Sequence, residues 1–418
     1  MKNIQDTFLE NLLRQEQLRQ TYGVNLIASE NYALQEVMDI SGSVLCNKYI
    51  EGYPGKRYYS GCAIYDQIEL VAIQRFKDIF KVEHVNVQPH SGSQANAAVY
   101  LALLQPGDTI LSMDLSSGGH LSHGHKVNWT HQFYNIISYQ VNPITNYLDY
   151  DSIEKLALQH RPKLIIAGAS AYSRTIDFEK FAMIAKQVDA FFMADIAHLA
   201  GLIAAGLHPS PVDHADIVTM TTHKTFRGPR GGVILCKQEL AKQIDNALMP
   251  GMQGGALMNH VAAKATAALQ AMQPEFITYQ KQVINNAQCM AQKFINLGYN
   301  VITGGTDNHM FLIDMQSTGL NGRQIEELLE SVDIFVNRNT IPFDTQSPLR
   351  PSGIRIGTPA ITSMGADEQD LEQIVYLIDQ SIKYYNQSSS LDAIKKDVKN
   401  FMINLHKKTL QLSKKLKG

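Results

Sequence analysis

Cysteine is scarce in this chain: Cys46, Cys62, Cys236 and Cys289 are the four in 418 residues, and none has C-x-x-C spacing. That pattern argues against a zinc ribbon and against a disulfide framework, and it suits a reducing cytoplasm. Long apolar runs are also missing. Stretches such as Ala200–Leu207 fall far short of the ~20 residues a membrane-crossing helix needs, so no membrane role is expected. The opening MKNIQDTFLENLLRQEQLRQ spreads charges throughout and lacks the apolar centre of a signal peptide, so no export is expected. Net charge is nearly absent, −2 overall, which argues against a generic polyanion binder, and nucleic acid is not an expected partner. The lysines near the end, Lys407, Lys408, Lys414, Lys415 and Lys417, read as a solvated helix face. No internal repeat and no low-complexity tract occurs.

The length exceeds one ordinary core, so a large domain with a smaller companion is the natural division. Thr7 and Glu10 have capping-box spacing, and Phe8, Leu9, Leu12 and Leu13 recur at helical intervals, which predicts an N-terminal helical arm over residues 1–30. The following stretch, dense in Tyr, Gly, Ser and Asn, has no clean period. Within it Tyr49, Glu51, Lys56, Arg57, Tyr58 and Tyr59 gather around Pro54–Gly55, as in a loop that lines a site or an interface. From there short apolar runs alternate with helical patterns: Val85–Val87, Thr109–Met113, Asn135–Ser138, Leu164–Ala167, Phe191–Ala194, Ile217–Met220 and Val233–Cys236. Near-continuous apolar strands separated by helices predict a mostly parallel sheet covered on both faces. A large α/β domain is therefore expected over residues 31–273 and a smaller α+β domain over 274–418.

Ligands of such sheets bind beyond the carboxyl ends of the strands, so the polar residues placed there carry the functional reading. After the first strand, Ser91–Gly92–Ser93 leads into a helix. The free N–H groups and the positive end of the helix dipole favour an anion such as a phosphate, although a plain serine cap fits the same residues. After the fifth strand comes Asp195, with His198 three positions on. A buried carboxylate there needs a cationic or donor partner, which a protonated pyridine nitrogen or a neighbouring basic side chain could supply. After the sixth strand comes Lys224, in TMTTHKTFRGPRGG. A lysine between an apolar strand and a glycine-rich loop reads as a Schiff-base lysine or as one that reaches out to solvent. Taken together, a phosphate turn, an aspartate and a lysine are the parts that pyridoxal phosphate requires.

The runs LIASENY (26–32), NKYIEGYPGKRYY (47–59), VQPHSGSQAN (87–96), GGHLSHG (118–124), ADIAHLAGLIAAG (194–206), THKTFRGPRGG (222–232), PGMQGG (250–255), GGTDNH (304–309) and SGIRIGTPAIT (352–362) resemble the serine hydroxymethyltransferases, over almost the whole chain. This resemblance implies an aspartate-aminotransferase-like fold (fold type I) and transfer of the serine hydroxymethyl carbon to tetrahydrofolate, giving glycine and methylenetetrahydrofolate. It implies that Lys224 carries the cofactor, Asp195 partners the ring nitrogen, His120 stacks on the ring, and Ser170 and His198 lie beside the ring hydroxyl. Ser91, Gly92 and Ser93 would hold the phosphate, joined by Tyr49, Gly254 and Gly255 of a second subunit. Arg355 would clamp the substrate carboxylate, with Ser29 and Tyr59 assisting, and Glu51 would be the acid/base group reaching across a dimer interface beside Tyr58. Leu115, Leu121, Tyr58 and Asn339 would lie near the folate. His223 and Arg230 would shape the surroundings of the lysine and cofactor. A homodimer with shared sites is implied, alone or paired into a tetramer. Three other readings remain at this point. One is a folate-independent aldolase of 3-hydroxy amino acids; another is a metal hydrolase using His120, His123, His125, Asp195 and His198; the third is a catalytically idle pyridoxal-fold protein that acts as a binding or scaffold module. No metal is expected on the first reading.

Overall fold

The computed structural model describes residues 6–415. The first five residues and the last three, Lys417 among them, lie outside the described residues, as do the side chains of residues 412–415, which include Lys414 and Lys415. The chain divides into two compact units, Asn31–Lys281 and Met1–Glu30 with Gln282–Gly418.

Among the described residues, the first unit is built on a seven-stranded sheet. Its strands are β1 (His84–Asn86), β2 (Thr109–Met113), β3 (Asn135–Tyr139), β4 (Leu164–Ala167), β5 (Phe191–Asp195), β6 (Ile217–Thr221) and β7 (Gly232–Cys236). Their spatial order is β1-β7-β6-β5-β4-β2-β3. Five strands, β2 to β6, run parallel, and β7 is antiparallel to both of its neighbours. The runs LIIA, IVTMT and GVILC are buried at every position, as expected of strands with both faces covered. Only the edge strand β3 keeps exposed positions. Helix Gly92–Leu103 packs Ala95, Ala98, Val99 and Tyr100 into one cluster with Ile110, Ile166, Met193, Ile217 and Ile234. Each buried Ile, Val or Met contributes on the order of 1.5–3 kcal/mol, which holds the start of that helix against the sheet.

Register places the chemistry. Asp195 is directly opposite Thr219 in the β5–β6 pair, and β7 returns beside β6 with Gly232 opposite Thr221. The loop of residues 222–231 is therefore a tight return at the same end of the sheet as Asp195. Behind it, helix Met258–Ala271 packs on helices Ala63–Phe80 and Gln35–Ser41.

The second unit has its own antiparallel sheet, in the order Asn300–Val301, Met310–Asp314, Gly353–Gly357, Asn337–Asn339. Phe294, Phe311, Ile354, Leu371 and Met402 lie in its core. The N-terminal segment belongs to this unit: Val24–Asn25 pairs in parallel with Ile334–Phe335, and Leu26 joins the same core. Helix Thr7–Tyr22 is capped by Asp6, whose carboxylate accepts the Leu9 N–H at 3.0 Å, not by the Thr7–Glu10 box expected from spacing. It buries no residue of its own. No helix among the described residues is long and apolar enough to cross a membrane.

Candidate functional site

Asp195 ends β5 with 9% of its surface exposed. Its Oδ2 accepts from His123 Nε2 and from Asn96 Nδ2, each at 2.9 Å, and its Oδ1 accepts the Ala197 N–H at 3.0 Å. Burial alone would push its pKa up, but the His123 and Asn96 hydrogen bonds hold the carboxyl well below the usual range. The group is therefore an anion fixed in place, and a carboxylate oxygen has room for more than one donor. His123 Nδ1 accepts the His120 N–H at 3.3 Å, so its proton sits on Nε2, facing Asp195. Asn96 is held at both ends: Nδ2 also donates to Ser122 Oγ at 2.9 Å, and Oδ1 accepts from Thr219 Oγ1 at 2.7 Å. His120, half-buried beside this network, has Nδ1 2.7 Å from Ser122 Oγ, and its ring meets that of His123 edge-on at 5.8 Å.

Lys224, 8% exposed, starts the return between β6 and β7. The loop is tied at its root, where Thr222 Oγ1 donates to Pro229 O at 2.6 Å and Gly228 N–H to Thr222 O at 2.6 Å. A Cβ on Gly228 would come within 2.8 Å of Thr222 O, so the tight return needs glycine. Asn31 Nδ2 holds the Lys224 carbonyl at 2.9 Å and Tyr279 Oη at 2.8 Å. His223, next to the lysine, has its pKa lowered to about 3 by burial and by the charges of Lys224 and Arg230. Its buried Nδ1 has no hydrogen-bond partner, a costly state that a ligand donor would relieve. Arg230 is exposed.

The Ser91 turn adjoins this loop. Ser91 Oγ caps helix Gly92–Leu103 by accepting the Gln94 N–H at 3.2 Å, while Ser93 is exposed. A Cβ on Gly92 would lie 2.6 Å from Thr221 Cγ2, and one on Gly232 2.4 Å from Ser91 O, so both positions leave no room for a side chain. Nearby, Gly118 O accepts the Ser170 N–H at 2.7 Å, and buried His198 receives the Thr225 hydroxyl on its carbonyl at 2.8 Å. Leu115 is half-buried and Leu121 is 42% exposed.

A second group assembles elsewhere in the same unit. Tyr49 Oη donates to Glu51 Oε1 at 3.2 Å, and the Tyr49 and Tyr59 rings meet edge-on at 5.3 Å. Glu51 lies 3.1 Å from where a Gly254 Cβ would be, and a Gly255 Cβ would meet Ile50 O at 2.5 Å. The hairpin behind Glu51 is braced by Arg57, which reaches Gly52 O and Glu69 at 2.5 Å and Asp66 at 2.8 Å. Gln88 donates to Glu69 at 2.7 Å and to Gly52 O at 3.0 Å. Tyr49 and Tyr58 are 57% and 72% exposed, and Tyr59 has its pKa raised by desolvation and the nearby Glu51 charge. Glu51, Tyr58, Met252 and Gly254 line a shallow pocket of about 420 Å³.

In the other unit Arg355 is 8% exposed, its Nε donates to the neutral Asn337 amide at 3.0 Å, and burial lowers its pKa to about 10. Asn339 and Ser29 are half-buried, and Asn339 Nδ2 donates to Thr340 O at 2.7 Å.

Asn96 and His123, which hold Asp195, were not singled out for that role from sequence. The available signal was a polar amide inside the otherwise apolar run ANAAV. His123 is engaged by Asp195 and His120 by Ser122, and among the described residues no group of three His, Cys, Asp or Glu is arranged to hold a metal.

A mostly parallel α/β sheet with a buried anionic aspartate on one central strand, a buried lysine after the next and a Ser-Gly-Ser helix start defines a pyridoxal-phosphate enzyme. The groups present fit that cofactor: Asp195 is held charged as an acceptor, His223 Nδ1 is without a hydrogen-bond partner, and Gly92 and Gly232 sit at the phosphate turn. Residues 3–378 match the family model described as serine hydroxymethyltransferase, and the chain belongs to that family. It is a transferase of the serine/glycine hydroxymethyl group, with pyridoxal phosphate as cofactor and tetrahydrofolate as the family's co-substrate.

Proposed function

We propose that this chain transfers the hydroxymethyl carbon of serine to tetrahydrofolate, reversibly, at sites shared between two copies in the cytoplasm. The observation that carries the reading is Asp195, held ionised by His123 and Asn96 in register with the strand that leads to Lys224. When bound, pyridoxal phosphate supplies an electron sink for the pair released as the serine Cα–Cβ bond breaks.

The protein's own part follows from its side chains. Lys224 would hold the cofactor aldehyde, and Asp195 would keep a proton on the ring nitrogen, because a fixed anion stabilises the cation beside it. His120 would stack on the ring, Ser170 and His198 would flank its hydroxyl, and Ser91, Gly92 and Ser93 would receive the phosphate at the helix start. Arg355 would grip the amino-acid carboxylate with its planar fork, with Ser29 alongside. Glu51 would move the proton at the substrate hydroxyl, with Tyr59 as a donor beside it. Leu115, Leu121, Tyr58 and Asn339 would bound the folate. Exposed Tyr49 and Gly254 stand beside half-buried Glu51 and Gly255, an open-faced group that supports their serving the neighbouring copy's site.

Serine cleavage measured with and without tetrahydrofolate tests this reading. Strong stimulation by folate is expected; cleavage indifferent to folate would instead indicate a folate-independent aldolase.

A further inference from the structure

Lys264 lies in the middle of helix Met258–Ala271 and is 1% exposed, a rare condition for a lysine. Its Nζ donates to three backbone carbonyls: Val87 at 2.7 Å, Gly232 at 2.8 Å and Pro89 at 2.9 Å. An ammonium has three N–H groups and a neutral amine two, so this arrangement matches the protonated form. Burial works against that charge, lowering its pKa to about 7, while the Glu69 carboxylate opposes the shift.

The three carbonyls are not scattered. Val87 and Pro89 lead directly into Ser91, and Gly232 opens β7, where its N–H also donates to Pro89 O at 3.1 Å. A Cβ on Gly231 would stand 2.4 Å from Lys264 Cε, so the glycine pair makes room for the lysine stem. Gln253 adds a further tie, with Nε2 on Gln88 O at 2.8 Å. None of the chemistry above uses Lys264.

We propose that Lys264 is a positioning residue for the cofactor phosphate: its ammonium pins residues 87–89 and 232 so that the Ser91–Ser93 turn presents its N–H groups to the phosphate. This rests on the reading of that turn as the phosphate site. The lysine touches neither cofactor nor substrate, and it adds a buried positive charge behind the turn. Removing it takes this donor from three buried carbonyls, of which Pro89 O keeps the Gly232 N–H, and frees the segment they anchor.

The test is binding, not turnover. Full-length apoprotein is titrated with pyridoxal phosphate and, separately, with pyridoxal, which lacks the phosphate, for the parent and for Lys264→Met. The expected result is that the parent prefers the phosphorylated form strongly, and that Lys264→Met loses about 10–100-fold in affinity for it, the scale of one charge-assisted hydrogen bond, with pyridoxal binding little changed. If Lys264→Met does not yield soluble protein, Lys264→Gln, which keeps two donors, carries the same comparison with a smaller loss. An unchanged preference for the phosphorylated form, or an equal loss for both ligands, overturns the role of Lys264. A parent that binds both forms equally would instead overturn the phosphate assignment of the turn itself.

Discussion

Two polar groups in the same unit are built on opposite principles. Around Asp195 every polar atom has a fixed partner: His123 and Asn96 bond the carboxylate, Ser122 and Thr219 bond Asn96, and the whole network is buried. Around Glu51 the chain is braced from behind by Arg57, Glu69 and Gln88, but the tyrosines in front are open, with Tyr58 72% exposed. A charge that must stay put is best held in a dry, preorganised setting, where each interaction is strong and costs no rearrangement. A group that must meet something arriving from outside is best carried on a stiff hairpin at the surface. On the proposed reading, the first group stays fixed within its own chain and the second is offered to a second copy.

Asp195→Asn attacks the first group with least change of shape. It removes the charge while keeping the volume, and serine turnover is expected to fall by ~10²–10⁴-fold, with the far-ultraviolet spectrum unchanged. Near-parental turnover would show that the buried anion is not needed. Glu51→Gln attacks the second. Cofactor binding is expected to stay at the parental level while folate-dependent turnover drops by a similar ~10²–10⁴-fold; a loss of cofactor affinity without a loss of turnover would reverse the assignment of the two groups.

The smallest effect concerns pH. His223 has a folded-state pKa of about 3 against an ordinary 6.5, because burial and its cationic neighbours disfavour the imidazolium. It is therefore neutral throughout the range in which such enzymes are assayed. Between pH 6.5 and 3 the unfolded chain binds a proton that the folded chain refuses, so stability falls as pH falls through that window. In His223→Asn the fall in melting temperature from pH 6.5 to pH 4 should be shallower; an identical slope would remove His223 as its source.

The strands were readable from sequence because parallel strands buried on both faces leave near-continuous apolar runs, and all seven appear within a residue or so of their expected ends. Lys224 and Asp195 could be found for the same reason, as polar residues immediately after such runs. What could not be read were ties between distant segments. His123 reaches Asp195 across 72 positions, and Lys264 reaches Val87 across 177; no local period marks either pairing. Local reading also misjudged a cap, because Asp6 and Thr7 both suit a helix start and only the backbone decides between them. The place of residues 24–26 in the second unit's core likewise depends on pairing with a strand three hundred residues later.

The central claim is that the Lys224 group of one copy works with the Glu51 group of another. Lys224→Gln and Glu51→Gln, each expected to be nearly inactive, can be unfolded together, refolded as a mixture and assayed. In a two-fold dimer with shared sites, a mixed pair has one site with both lesions and one with neither, so about one quarter of parental turnover should return. A mixture no more active than its two components would contradict the shared site and return Glu51 to its own chain.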